Sequence, residues 1–149
     1  MTKIYDFDST LNSPSFEKKL KNKEFIKKFN ENYNILITAR DVIGQDQKDF
    51  IKKYGLKFNQ MYTTGHKFYK VDILRKLRLP KDVEIHENNP IEIMFYQRWG
   101  YHNITIYQPV SYFDSIVNRH FKNIIKSDNP NREITKLWLE YGEVNSTAY

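Results

Sequence analysis

Five short runs rich in β-branched and aromatic residues recur along the chain, at 3–7, 34–38, 60–64, 83–86 and 103–107. Each is short and apolar enough to be a strand buried on both faces, and turn or polar residues bound most of them. Amphipathic stretches lie between them. Phe16, Leu20, Phe25, Ile26 and Phe29 mark the first, with lysines on its other face. Phe50, Ile51 and Tyr54 mark the second, which stops at Gly55 as a helix should. Val71, Ile73, Leu74 and Leu77 mark the third, with Pro80 just beyond. Ile93, Met94, Tyr96, Gln97 and Trp99 belong to the fourth, which opens at Pro90 and closes at Gly100.

Strand and helix in regular alternation predict parallel strands with helices on both faces. The expected fold is α/β: one three-layer, Rossmann-like domain over 1–110 with a parallel sheet of about five strands. Ligands gather at the carboxyl ends of the strands in such a sheet, near a topological switch point. After Tyr107 the alternation stops. Segments 112–125 and 133–141 read as helices, so 111–149 is expected to carry C-terminal helices packed on the core or used for docking.

Length and composition narrow the classes. A chain of 149 residues with 40% hydrophobic and 28% charged content has room for one domain with one core. It has no apolar run near the roughly 20 residues a bilayer requires, and an acid at position 6 interrupts any signal-like start. A cytoplasmic protein is expected. Zero cysteines exclude disulfides, thiolate zinc sites and a cysteine nucleophile. The net charge of +6 favours anionic partners, and Lys18, Lys19, Lys21, Lys23, Lys27 and Lys28 supply much of it. The same lysines also suit plain solvation in a Lys- and Asn-rich chain.

Candidate chemistry begins at the end of the first run, Asp6-Phe7-Asp8-Ser9-Thr10-Leu11. Alternate side chains of a strand point the same way, so Asp6 and Asp8 start on one side. Two carboxylates that close repel unless a cation or a shared proton intervenes, and a hard cation such as magnesium takes oxygen ligands of this kind. A capping or turn cluster is the structural alternative. Other chemistries lack their patterns. No Gly-x-x-x-x-Gly-Lys stretch exists for a P-loop, and His66, His86, His102 and His120 lack metal-ligand spacing. No serine sits in a Gly-x-Ser-x-Gly setting.

Asp6-x-Asp8-x-Thr10 directly after an apolar strand resembles the first motif of the haloacid dehalogenase superfamily. The resemblance continues in order along the chain. The run from Ile35 to Arg40 resembles the second motif, a strand ending in a phosphate-binding Thr or Ser. His66 to Leu74 resembles the third, a lysine at the start of a helix. Glu84 to Pro90 occupies the place of the fourth, a strand ending in acidic metal ligands. Within the superfamily the wording is most similar to a group described as Swiss-army-knife RNA-repair-like. That group usually reads Tyr-Glu-Asp-Arg where this chain reads His86-Glu87-Asn88-Asn89, so a neutral amide stands where an acid is expected.

The resemblance implies a magnesium-dependent phosphatase. Asp6 would be the nucleophile and Asp8 the general acid and base. Mg²⁺ would be held by Asp6, the Asp8 backbone carbonyl and the Glu87–Asn88 corner. Thr38 and a lysine would hold the phosphoryl group, with Lys70 preferred to Lys67 because Val71, Ile73 and Leu74 follow it directly. Thr10, Arg40 and Lys67 are further candidates for substrate contact. Only about 28 residues separate Thr10 from Thr38, and about 32 separate Thr38 from Lys70, which leaves no room for a cap domain. An open site suits a phosphate on the end of a macromolecule. The expected substrate is therefore a terminal, most plausibly 3′, phosphate of RNA or DNA. A small-molecule or nucleotide phosphatase and a non-catalytic binding module of the same fold are the alternatives.

Overall fold

A computed structural model describes residues 1–107 and Lys126 of the chain. The C-terminal helices expected over 112–125 and 133–141 lie outside the described residues. The sheet has five parallel strands, β1 (Thr2–Tyr5), β2 (Tyr33–Thr38), β3 (Gln60–Thr63), β4 (Glu84–Glu87) and β5 (Ile104–Ile106), in the order β3-β2-β1-β4-β5. Five helices connect them: α1 (Pro14–Leu20), α2 (Lys23–Asn30), α3 (Gln45–Tyr54), α4 (Lys70–Lys76) and α5 (Pro90–Arg98). The architecture is α/β and compatible with a Rossmann-like arrangement. Among the described residues no helix is long and apolar enough to cross a membrane.

The period of two along each strand builds a different core on each face. Ile4, Ile35, Ile37 and Ile85 pack with Val71 and Leu74 of α4 and with Met94 and Phe95 of α5. Tyr5 and Leu36, from the alternate positions, pack with Phe16, Leu20 and Phe29 of α1 and α2, and Phe50 and Ile51 of α3 lean on the same cluster. Ile4 pairs with Ile35 on one side and with Ile85 on the other, so β1 is buried at the centre of the sheet.

The stretch 16–29, which reads as one amphipathic segment, is two helices. The Asn22 side chain accepts from the N–H groups of Glu24 (2.9 Å) and Phe25 (3.4 Å), starting α2 as a new helix. Ser13 and Asn89 start α1 and α5 in the same way, each followed by a proline whose missing N–H costs nothing at that position. Helix α3 ends at Gly55 with φ +65°, a left-handed conformation that a side chain would strain.

Asn34 ties the open end of β2 together. Its side-chain amide donates to the carbonyls of Phe29 (2.8 Å) and Lys57 (3.1 Å), and its backbone exchanges two hydrogen bonds with Asn59. The residue is fully buried, so water cannot replace these bonds. Asn34→Ala strands the buried Phe29 carbonyl and removes the part-buried bond to Lys57, and should lower unfolding stability by about 1–3 kcal/mol in urea titrations, with the far-ultraviolet spectrum of the folded state unchanged.

Candidate active site

The chain leaves β1 toward β2 on one side and leaves β4 toward β5 on the other. Strands β1 and β4 are neighbours, so the topological switch point of the sheet lies between their carboxyl ends. Asp6 is the first residue past β1, held at the edge by its N–H donating to the His86 carbonyl at 2.9 Å. Glu87 is the last residue of β4 and Lys70 the first of α4. These three side chains meet: Lys70 Nζ donates to Asp6 Oδ1 at 2.8 Å and to Glu87 Oε1 at 2.7 Å. Lys70, Asp6 and Glu87 are 2%, 6% and 1% exposed, so the ion pairs are sealed from bulk water and little screened.

Each remaining carboxylate oxygen is also satisfied. Asp6 Oδ2 accepts from the Thr10 hydroxyl at 2.9 Å. Glu87 Oε2 accepts from the backbone N–H groups of Asn88 (3.0 Å) and Asn89 (3.1 Å) at the start of α5. A turn over 7–11 makes the Thr10 contact possible by bringing the chain back over Asp6. Its hinge is Ser9, at φ +60°, whose N–H donates to Asn12 Oδ1 at 2.6 Å. Such a conformation is uncommon outside glycine.

A third buried acid joins the cluster. Glu92, within the otherwise apolar run 91–96 of α5, accepts the Lys70 N–H on Oε2 at 2.8 Å. Two buried acids therefore bind the Lys70 ammonium and a third binds its backbone N–H. Burial alone would push Lys70 down, but Asp6, Glu87 and Glu92 together outweigh it and hold the amine charged, above the ordinary lysine value. Burial, reinforced by Asp6, pushes the Glu87 carboxyl well up despite Lys70. Burial likewise pushes Glu92 up to about 7.

Asp8 turns away from this cluster. Its Oδ2 accepts from Arg40 Nε at 3.0 Å and its Oδ1 from Arg40 Nη2 at 2.6 Å. Asp6 and Asp8 thus leave β1 together but are held by different cations. Thr38 ends β2 fully buried, its Oγ1 accepting from the Arg40 N–H and from Gln47 Nε2, both at 3.4 Å.

The candidates separate into groups. Asp6, Lys70 and Glu87 are in direct contact, with Asn88 buried beside them. Asp8 and Arg40 form a second pair at the same edge, next to Thr38. The Thr10 hydroxyl, expected on the substrate, is engaged with Asp6 instead. Lys67 is exposed, and the structure places Lys70 rather than Lys67 in the cluster. Among the described residues no group of three or more His, Asp or Glu side chains is arranged to hold a metal. The available oxygens are those of Asp6, Asp8, Glu87 and Asn88, and Lys70 Nζ now lies between the first and third. His86 packs on the opposite face, stacked on Tyr5 at 4.5 Å and bonded to Glu84 and Tyr107.

Sequence reasoning missed Glu92 and Asp46. A lone acid inside the apolar run Ile91-Glu92-Ile93-Met94 was the available signal for the first. Asp46, which binds Arg40 through two further hydrogen bonds of 2.7 and 2.8 Å, had none. Comparison with known proteins returns no matching family model, no matching curated protein and no matching solved structure.

Glu92 sets a pH dependence whose sign follows from its raised value. A carboxyl that ionises near 7 when folded and near 4.5 when unfolded adds stability below 4.5, and that contribution is lost as pH rises toward 7. Glu92→Gln imitates the protonated form. In chelator, its unfolding free energy should match wild type below pH 4.5 and exceed it at pH 8, by a difference on the order of 3 kcal/mol. Parallel curves across that range would remove the assignment.

Proposed function

We propose that this chain is a magnesium-dependent phosphohydrolase of the haloacid dehalogenase type, working through an aspartyl-phosphate on Asp6. The observation that carries the reading is the buried Lys70 ammonium between Asp6 and Glu87 at the switch point of the sheet. A carboxylate held at a strand end and backed by a fixed cation is placed to attack an electrophile whose negative charge that cation offsets.

Asp6 attacks phosphorus, the bond to the leaving oxygen breaks, and Asp8 gives that oxygen its proton. A water then attacks the phosphorus of the aspartyl-phosphate, Asp8 takes the proton and the Asp6 carboxylate is regenerated. Thr38 donates its hydroxyl proton to a phosphoryl oxygen. Lys70 stays on Asp6 and opposes charge on the transferring group. The donor set suits magnesium in being all oxygen, the kind of ligand a hard cation takes. Asp6 and Glu87 would hold the ion, with the Asn88 amide and the Asp8 backbone carbonyl beside them. When bound it supplies further neutralisation of the phosphoryl oxygens.

We read the site as uncapped, because the connection from β1 to β2 carries only α1 and α2 beyond the site turn and that from β2 to β3 only α3. That openness and the +6 charge support a terminal phosphate of RNA or DNA as substrate, most plausibly at a 3′ end. A mononucleotide or other small phosphate is the competing substrate. Asn88 favours a second reading, a non-catalytic module of the same fold, because an amide holds magnesium more weakly than an acid.

Wild type should hydrolyse a generic aryl phosphate only with magnesium present, and Asp6→Asn should lose on the order of 10³-fold or more in kcat/KM. Equal silence of both proteins across several phosphate esters would establish the non-catalytic reading.

Magnesium should also raise the melting temperature of wild type, by a shift that Glu87→Gln reduces or abolishes.

For substrate class, kcat/KM on a 3′-phosphorylated oligonucleotide should exceed that on the matching 3′-mononucleotide and fall more steeply with salt. Equal values with equal salt slopes would assign a small-molecule phosphatase.

A further inference from the structure

Arg40 carries two carboxylates on two separate edges of its guanidinium. The side edge, Nε and Nη2, holds both oxygens of Asp8 at 3.0 and 2.6 Å. The end edge, Nη1 and Nη2, holds both oxygens of Asp46 at 2.7 and 2.8 Å. These contacts leave one anionic charge unbalanced by this cation. Such a fork recognises a phosphoryl group with the same two-point geometry it uses for a carboxylate.

The two edges are not equivalent in their surroundings. The Arg40–Asp46 pair closes the short connection from β2 into α3, and Asp46 stands in the first turn of that helix. Asp8 belongs to the turn hinged at Ser9 and comes from a different part of the chain. A second observation concerns Gly44, between the partners of the local pair. Its φ of −73° is open to any residue, so conformation does not require a glycine. A methyl group there would lie 2.6 Å from Arg40 Nη1 and would also strike Asp46 Oδ1. Both atoms are the far ends of flexible side chains, so an added methyl would displace the pair and leave the backbone where it is.

We propose that Arg40 is an exchangeable phosphate-gripping arm: a phosphoryl group arriving beside Asp6 takes the Nε/Nη2 edge from Asp8, while Asp46 keeps the other edge and holds the arm in place. Asp8 is released by the same event that brings the group it must protonate. Asp46 is a positioning residue, acting only through Arg40. The inference rests on the reading that a phosphoryl group binds at this edge, but it does not require turnover.

The test is calorimetric titration of inorganic phosphate into the full chain with magnesium present. Wild type should bind phosphate, and Arg40→Lys, which keeps the charge and loses the fork, should weaken binding about tenfold or more. Asp46→Asn removes a negative charge near an anion, so electrostatics alone would tighten binding. The arm predicts the opposite, a weakening of about tenfold. Gly44→Ala removes no charge and should weaken binding likewise. Asp8→Asn should tighten binding, and that gain should vanish in the Arg40→Lys background, since both act through one contact. Tighter binding by Asp46→Asn, unchanged binding by Gly44→Ala, or no phosphate binding by wild type would each overturn the proposal. Failure of the phosphohydrolase reading would appear separately, as aryl phosphate turnover that is absent or indifferent to Asp6→Asn.

Discussion

The Lys70 ammonium, bonded to Asp6 and Glu87 out of contact with water, is the constraint around which the carboxyl edge of the sheet is arranged. Buried charges are costly unless they are paired and their remaining atoms are hydrogen-bonded. Here three chain segments must arrive together to meet that condition. Strand β1 brings Asp6, β4 brings Glu87 and the start of α4 brings Lys70. Thr10 and the Asn88 and Asn89 amides complete the shell. Loss of Lys70 would leave two buried acids without their shared cation, so the three segments are tied to one another at this point.

The cluster is unbalanced in a direction that matters for chemistry. A structural ion pair needs one acid per base, whereas Lys70 faces Asp6, Glu87 and Glu92. Burial raises the Glu87 and Glu92 carboxyls above their ordinary range. A fold with only stability at stake would gain by replacing Glu92 with glutamine, which still accepts the Lys70 N–H without a buried ionisable group. Sites that handle charged ligands retain such imbalances, because strongly perturbed carboxyls accumulate where chemistry is done.

Much of the fold was legible because its signals are local. The five strands lie within a few residues of the apolar runs, and the proline and glycine boundaries of α5 and α3 fall where their backbone preferences put them. Segment 16–29 was misread as one helix because Asn22 lies in a run of lysines, where a polar residue carries no contrast; only its side-chain bonds mark it as a start. The resemblance singled out Asp6 at a strand end and Lys70 before an apolar helix, and the structure brings the two side chains into contact. Glu92 was hidden because helical periodicity assigns an acid to solvent, and only the depth of α5 beside Lys70 reverses that. Thr10 was assigned outward because a sequence does not show the turn that folds it back on Asp6. Asp46 depends on the path of the 40–46 loop, which no pattern encodes.

The order of strands also has a temporal meaning. Strand β1 is made first, yet one of its two partners, β4, begins at Glu84. The β1-β2-β3 half can pair as soon as Thr63 has emerged, leaving one flank of the central strand open. During that interval Asp6 stands at the edge of a partial sheet without the cation that neutralises it. Parallel pairing over long sequence separations is slow in any case, because loop closure precedes the contacts that reward it. A chain that has emerged only as far as Thr63 lacks both the β4 partner of β1 and the lysine that pairs with Asp6. A charged residue at the end of an open strand is one of the features that disfavour edge-to-edge pairing with other chains.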